Sequence, residues 1–560
     1  MNIVGISYSG NHESAACLVR DGELVFACAE ERLSRVKQDA RFPALALKAA
    51  LDFAGLKISD IDHVALNWPH SIRLRMHDLK LLLTGQWPCS RTRLDRLVVG
   101  TLQALRHKGG ELDVVRELGR LKNPVHFVNH HLAHALSAYC MSGFNESSVL
   151  VIDGRGSSEA TTLWHARNGS IELLETYEFP NSLGVFYAGI TDMLGFQPLS
   201  DEWKVMGLAA YGKPTFDLSP LITFSEEGYR VDGRKFFGKT DFDRSALEAV
   251  VGRRRDPDEE LNETHQNLAR SAQDCCEKAM FGLLRRTSRI TKSRKLCLAG
   301  GVALNSKANG ELLRSGLIDD IYVQPAASDD GGCIGAALAV YPRLGLALPR
   351  KQLGHTYLGP EFANSQIEQV LKVYKLPYRR LESPSRAAAE LLAKNHLVGW
   401  FQGRMEFGPR ALGARSILSD PRFEENRDRV NEAVKFRESW RPFAPSVLHE
   451  KGAQYFSSYY DSPYMILTFW ANTFGKKKIP AVVHVDGSGR VQSVHRDTNP
   501  RYYELLIEFE RATGVPVVMN TSFNLKGDPI VCTPKDAIQT FYTSGLDDLV
   551  IGDFAVSKRC

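Results

Sequence analysis

Apolar positions near the start of the chain fall into short runs, at residues 3–6, 15–19 and 24–27, with Asp21-Gly22 between the last two. Short apolar runs around an Asp-Gly pair predict strands joined by a tight hairpin. The same order returns at residues 149–152, 160–165 and 171–176, this time with Asn168-Gly169 at the turn, an offset of about 147 residues. The periodicity then becomes helical over 261–289. It is followed by Lys295-Leu296-Cys297-Leu298-Ala299-Gly300-Gly301, a strand pattern that runs into paired glycines and a further helix. Turn formers crowd residues 346–360 and predict a linker, so the chain divides into domains at 1–350 and 351–560. Beyond the linker, 397–401 read as a buried strand, and arginines then recur among glycine and proline instead of along helix faces.

Composition narrows the class. The chain has 560 residues and a 43% hydrophobic fraction, enough for several packed cores. No apolar run is long enough to span a bilayer and no basic leader opens the chain, so a cytoplasmic location is expected. The ten cysteines form no CxxC pair, which argues against a thiolate zinc cage or a disulfide framework. Net charge is +5, but residues 73–122 hold eleven Lys and Arg against five Asp and Glu, so the remainder is close to neutral. That basic, amphipathic segment predicts contact with an anionic acceptor or a membrane surface. The near-neutral remainder argues against a nucleic-acid partner. An oligomer is neither required nor excluded.

The candidate chemistry begins at His130-His131-Leu132-Ala133-His134. On a helix, His130 and His134 project from one face and can grip one ion. Two aspartates arriving from distant segments, Val149-Leu150-Val151-Ile152-Asp153-Gly154 and Ser328-Asp329-Asp330-Gly331, would complete a mixed nitrogen and oxygen set. Such a set suits Fe(II), Mn(II) or Zn better than a closed thiolate cage, and its open positions make it catalytic in type. The Gly300-Gly301 turn predicts backbone amides able to meet a nucleotide phosphate. In the C-terminal part, guanidinium groups in rigid loops suit capture of compact anions.

The repeated strand and hairpin unit resembles the two halves of the actin, Hsp70 and sugar-kinase fold. Taken with His12-Glu13-Ser14-Ala15-Ala16, Glu30-Glu31-Arg32, residues 126–134, Lys204-Val205-Met206-Gly207-Leu208-Ala209, the 300–305 turn, Ser328-Asp329, residues 408–413, 441–445 and 520–524, it resembles the O-carbamoyltransferase family. That family includes the nodulation-factor, cephamycin and tobramycin carbamoyltransferases. The resemblance implies an α/β protein with a duplicated actin/Hsp70-like ATPase-type N-terminal domain and a YrdC-like α/β C-terminal domain. It implies an enzyme that uses carbamoyl phosphate and ATP to form carbamoyl-adenylate in the C-terminal domain. The carbamoyl group would then pass, at the N-terminal domain, to a hydroxyl of a sugar-containing natural product or glycan. By the same resemblance, His130, His134, Asp153 and Asp329 would hold the metal. Arg410, Lys435, Arg441, Arg490, Ser522 and Asn524 would bind carbamoyl phosphate, with Arg410, Lys435 and Arg441 also catalytic. Lys204, Gly207, Gly300, Gly301 and Asn305 would bind the nucleotide, and His12 would lie near the acceptor as its base or as a binding residue.

Two other functions fit parts of this pattern. A tRNA threonylcarbamoyl-transfer factor would need a long basic stripe, which the chain lacks outside residues 73–122. An Hsp70-like nucleotide-switched binding protein would not explain the histidine pair or the loop arginines.

Overall fold

The computed structural model describes residues 1–560 except 11, 69–78, 82–118, 120, 122, 237–243, 436–437, 439 and 559–560. Nearly all of the basic 73–122 segment therefore lies outside the described residues. Two compact units are formed, one from Met1–Val25 and Ala40–Leu353, the other from Phe26–Asp39 and Gly354–Cys560. Among the described residues no helix is long and apolar enough to cross a membrane.

The first unit is built twice on one plan. Its first sheet contains β1 (Asn2–Ser7), β2 (Ala15–Arg20), β3 (Glu23–Ala29), β4 (His63–Leu66) and β5 (His126–Phe127), in the order β3-β2-β1-β4-β5. The second contains β6 (Glu146–Ile152), β7 (Glu159–Arg167), β8 (Ser170–Glu178), β11 (Lys295–Ala299) and β12 (Asp320–Val323), in the order β8-β7-β6-β11-β12. A small ribbon, β9 (Ile222–Ser225) with β10 (Gly228–Val231), lies between them in sequence. In both sheets the opening strand pairs antiparallel with the next and parallel with a later one, β1 with β4 and β6 with β11. The hairpins match in detail. Asp21 and Gly22 have φ of 51° and 85°, Asn168 and Gly169 have 52° and 85°, as a two-residue turn with both central residues left-handed requires. This is the duplicated actin/Hsp70-like ATPase-type architecture expected from the repeat.

Each sheet is shielded by helices, and one contact sets the position of the histidines. The helix His130–Ser142 packs on the helix Gly332–Leu338 so closely that a Cβ on Gly335 would come 1.7 Å from the Ala133 carbonyl oxygen. Gly335→Ala must push these helices apart, at a cost of roughly 1–3 kcal/mol or more. We expect its thermal midpoint to fall by several degrees in calorimetry; an unchanged midpoint would contradict this packing.

The second unit is also α/β. Its sheet runs β13 (Arg379–Arg380), β23 (Phe554–Ser557), β22 (Asp548–Ile551), β14 (Val398–Phe401), β15 (Arg415–Ser419), β21 (Val517–Ser522), β16 (Ala444–Leu448) and β20 (Gln492–Val494). A smaller sheet holds β17 (Phe456–Ser457), β18 (Thr468–Ala471) and β19 (Ser488–Arg490). The apolar run at 397–401 becomes β14, buried at all four strand positions. Trp400, Leu418, Val518 and Val550 form its core with Leu505 and Phe509, from the helix Pro500–Thr513.

Candidate metal centre and anion pocket

The parallel strands of the first unit deliver their following residues to one place, where crevices at strand carboxyl ends commonly bind ligands. His130 opens the helix three residues after β5, Asp153 follows β6 directly, and Asp329 lies in the turn after β12. Asn129 caps that helix, its Oδ1 accepting from the Leu132 amide at 2.9 Å while its Nδ2 donates to Glu159 Oε1. The first half of the repeat fixes Asp329: Ser7 Oγ, at the end of β1, donates to its carbonyl at 2.6 Å, and Asn67, after β4, donates to Ser7 Oγ at 3.0 Å.

His130, His134, Asp153 and Asp329 each turn one donor atom into a common space, all within 4.8 Å of one another. His130 Nε2 is 3.1 Å from His134 Nε2, 3.2 Å from Asp153 Oδ2 and 3.4 Å from Asp329 Oδ1. His134 Nε2 is 3.9 and 3.8 Å from the same two oxygens. Donors bound at about 2.0–2.1 Å to a tetrahedral ion stand roughly 3.3 Å apart, so the His130 contacts match a divalent transition metal, while His134 must close on the two oxygens by about half an ångström. Both histidines are fully buried, and the Nδ1 of each has no hydrogen-bond partner among the described residues. The Trp68 ring packs edge-on against His130 at 4.3 Å.

Electrostatics point the same way. Burial opposes a charge on His130, yet Asp329, with Asp153, outweighs it and lifts the imidazole to about 10. Asp153 is held down at about 2, with burial opposing and the His130 hydrogen bond prevailing. Asp329 falls well below the usual carboxylate range against the same penalty, chiefly because of His130. A cleft with two carboxylates demands a cation, which a proton supplies here and a metal ion can supply in its stead. His131 faces away, its Nδ1 at 2.9 Å from Thr162 Oγ1, and burial followed by the His130 charge lowers it to about 3.

Other candidate residues surround this group or stand apart from it. His12 contacts Glu13 at 3.5 Å; burial opposes its charge, but Glu13, then Asp329 and Asp153, raise its pKa, so it faces the same acidic cleft. The Gly301 amide donates to Asp153 Oδ1 at 3.2 Å and so orients a candidate ligand. Gly300 needs its φ of 88°, and a Cβ there would meet the Ile152 carbonyl at 2.4 Å. The expected helix does not start at these glycines. A short 3-10 turn, Gly301–Leu304, intervenes, and the helix Ser306–Arg314 begins with Asn305 as its cap, Oδ1 accepting from the Ala308 amide. Lys204 and Gly207 both lie in the helix Glu202–Leu208, where the Lys204 ammonium pairs with Asp201 at 2.7 Å.

The second unit gathers another polar group. Lys435 ends a π-turn, Asn431–Lys435, a local distortion that often marks functional positions. Its Nζ donates to Ser522 O and to Asn524 Oδ1 at 2.8 Å, and Ser522 Oγ donates to Asn524 Oδ1 at 2.7 Å. Arg410 lies in the loop between β14 and β15, which Glu406 shapes by accepting from the amides of Leu412, Ala414 and Arg415. Asn520, two residues before Ser522 on β21, donates to the Ala411 carbonyl, and Gln492 donates to that of Leu412. Burial lowers Arg410 to about 10; its Nε has no hydrogen-bond partner, and it makes no ion pair among the described residues. Arg441 pairs with Glu438 at 3.3 Å, and Arg490 ends β19 opposite Thr468. Glu406, Asn520 and Gln492, which hold the loop, carried no sequence signal of that role, whereas the Asn129 cap was readable as an Asn before a helical run.

Two carbamoyltransferase family models match the chain, the N-terminus model over residues 2–338 and the C-terminus model over 389–558. Nodulation protein NolNO of Sinorhizobium fredii is 39% identical over 558 residues, covering 98% of this chain and 79% of that protein. Nodulation protein NolO of Bradyrhizobium diazoefficiens is 41% identical over 77% of this chain and 79% of its own length. An uncharacterized Synechocystis protein is 38% identical over 100% of this chain and 97% of its own.

Proposed function

Because the chain belongs to the carbamoyltransferase family and is an enzyme of that type, we propose that it transfers a carbamoyl group from carbamoyl phosphate, by way of carbamoyl-adenylate, to a hydroxyl of a sugar-containing acceptor. The observation that carries this reading is the four-donor group of His130, His134, Asp153 and Asp329, which a simple anion-binding module would not need.

The second unit provides the activating half. Arg410, a half-buried cation with no carboxylate partner among the described residues, suits a compact dianion, and Lys435, Arg441 and Arg490 would add positive charge to that pocket. Water releases phosphate from carbamoyl phosphate, and the resulting carbamate oxygen attacks the α-phosphorus of ATP, expelling pyrophosphate. Fixed cations neutralise the charge that develops on the departing phosphate. Ser522 and Asn524, already ordered around Lys435, orient the small carbamoyl group.

In the first unit the acceptor oxygen attacks the carbamoyl carbon, the bond to the AMP oxygen breaks, and the hydroxyl proton is released. His12 would hold or accept that proton, worth about 10²- to 10⁴-fold where such a base acts. Lys204, Gly207, Gly300, Gly301 and Asn305 form the nucleotide side of this cleft. Fe(II) is the first choice of ion, with Mn or Zn as alternatives, and when bound it supplies a Lewis acid for the adenylate phosphate.

The test is pyrophosphate release from ATP by the purified protein. Release that depends on carbamoyl phosphate and needs no acceptor is the expected result. Dependence on threonine, or ADP formation instead, would replace this reading.

A further inference from the structure

A second convergence of metal-type donors lies in the C-terminal unit, apart from every residue used above. Strands β16 and β20 run parallel with Leu448 opposite Val494, and the residue after each is a histidine. Adjacent parallel strands therefore place His449 and His495 side by side, and their rings stack at 4.3 Å with 28° between planes. Asp461 arrives from the segment between β17 and β18. That segment is pinned to β20 through Ser493, whose Oγ accepts from the Ser462 amide at 2.8 Å and whose own amide donates to the Ser462 carbonyl at 2.9 Å. Tyr459 OH adds a third tie to Ser493, at 2.7 Å.

One carboxylate oxygen receives both imidazoles. Asp461 Oδ1 is 3.2 Å from His449 Nδ1 and 2.8 Å from His495 Nε2, and all three donor atoms lie within 4.8 Å of one another. These separations are close to the roughly 3.3 Å between neighbouring donors of a tetrahedral zinc ion. Backbone pairing, not loop accident, sets two of the three donors. Two nitrogens and one oxygen exclude a magnesium or calcium type of site and favour the later divalent ions of the first transition row. The side chains keep 40%, 44% and 26% of their exposure, so water can fill the remaining positions.

We propose that His449, Asp461 and His495 form a second divalent-metal site, of the zinc class, that clips the segment between β17 and β18 to the carboxyl ends of β16 and β20. Pro463 and Tyr464, just beyond Asp461, line a pocket with Tyr357, Leu412, Gln492 and Asn499. The clip thereby fixes one wall of a pocket that shares Leu412 with the Arg410 loop. Its role is positional, since nothing places a reacting group against it.

Metal-stripped full-length protein titrated with Zn²⁺ in a calorimeter tests this. His449→Ala/His495→Ala should bind one ion fewer than the unsubstituted protein, while His130→Ala/His134→Ala should keep that ion. Cu²⁺ on the latter variant should give an electron paramagnetic resonance spectrum split by two imidazole nitrogens. Asp461→Asn, a change at a half-exposed position, guards against misfolding and should weaken the same site by at least about 10- to 100-fold. Unchanged stoichiometry in His449→Ala/His495→Ala, or an unchanged affinity in Asp461→Asn, would overturn the proposal and leave a hydrogen-bonded His-Asp-His clasp.

Discussion

Arg410→Met is expected to cut carbamoyl phosphate-dependent pyrophosphate release by about 10²- to 10³-fold, the usual cost of deleting one fixed donor for a developing anion. The same substitution should leave the protein nearly as stable as before. Both effects follow from one feature. Arg410 is half-buried, and burial lowers its pKa to about 10, still charged at neutral pH, yet no carboxylate pairs with it among the described residues. The guanidinium keeps part of its exposure and holds no carboxylate, so an apolar side chain of similar length costs the free protein little. The loop does not depend on the guanidinium, because Glu406 holds three of its amides and Asn520 and Gln492 hold its carbonyls. A structural arginine would behave in the opposite way. Arg415 is the internal control: it donates to the carbonyls of Gln402, Ala414 and Gly403 and lies over the Phe401 ring at 3.7 Å. Arg415→Met should lose stability first. If Arg410→Met lowers the thermal midpoint while release stays near the original rate, the loop arginine serves folding and the anion pocket lies elsewhere.

Much of the first unit could be read from local sequence, because its signals act over short distances. Asp21-Gly22 and Asn168-Gly169 announce left-handed turns, and four-residue spacing on a helix brings His130 to His134. Asp153 is legible as the first polar residue after an apolar strand. What holds Asp329 is not: Ser7 donates to it across 322 residues, and no periodicity records such a contact. At Gly300-Gly301 only a 3-10 turn opens, and the α-helix waits for its cap Asn305, four residues after Gly301. His449 and His495 are 46 residues apart in unremarkable local sequence, and only the parallel pairing of β16 with β20 makes them neighbours. Long-range pairing is the information that local propensity lacks.

His130→Ala should lose the bound metal and lower acceptor-dependent AMP release from carbamoyl-adenylate by about 10³-fold, equivalent to several kcal/mol, while pyrophosphate release persists. His130 makes the shorter contacts to both aspartates, at 3.2 and 3.4 Å against 3.9 and 3.8 Å from His134. In the metal-free protein it is also the cation facing Asp153 and Asp329, which is why its pKa stands near 10 despite burial. Removing it leaves two buried carboxylates with His134 alone, so the variant should also unfold more readily. Asp329→Asn separates the two consequences. It removes one negative charge and one donor while keeping the Ser7 bond, which uses the Asp329 carbonyl and not its side chain. That variant should therefore lose metal, measured by elemental analysis, with a smaller change in thermal midpoint. Retention of metal and of AMP release in both variants would remove this cleft from the reaction. Loss of pyrophosphate release along with transfer would show that the activating step also depends on the first unit.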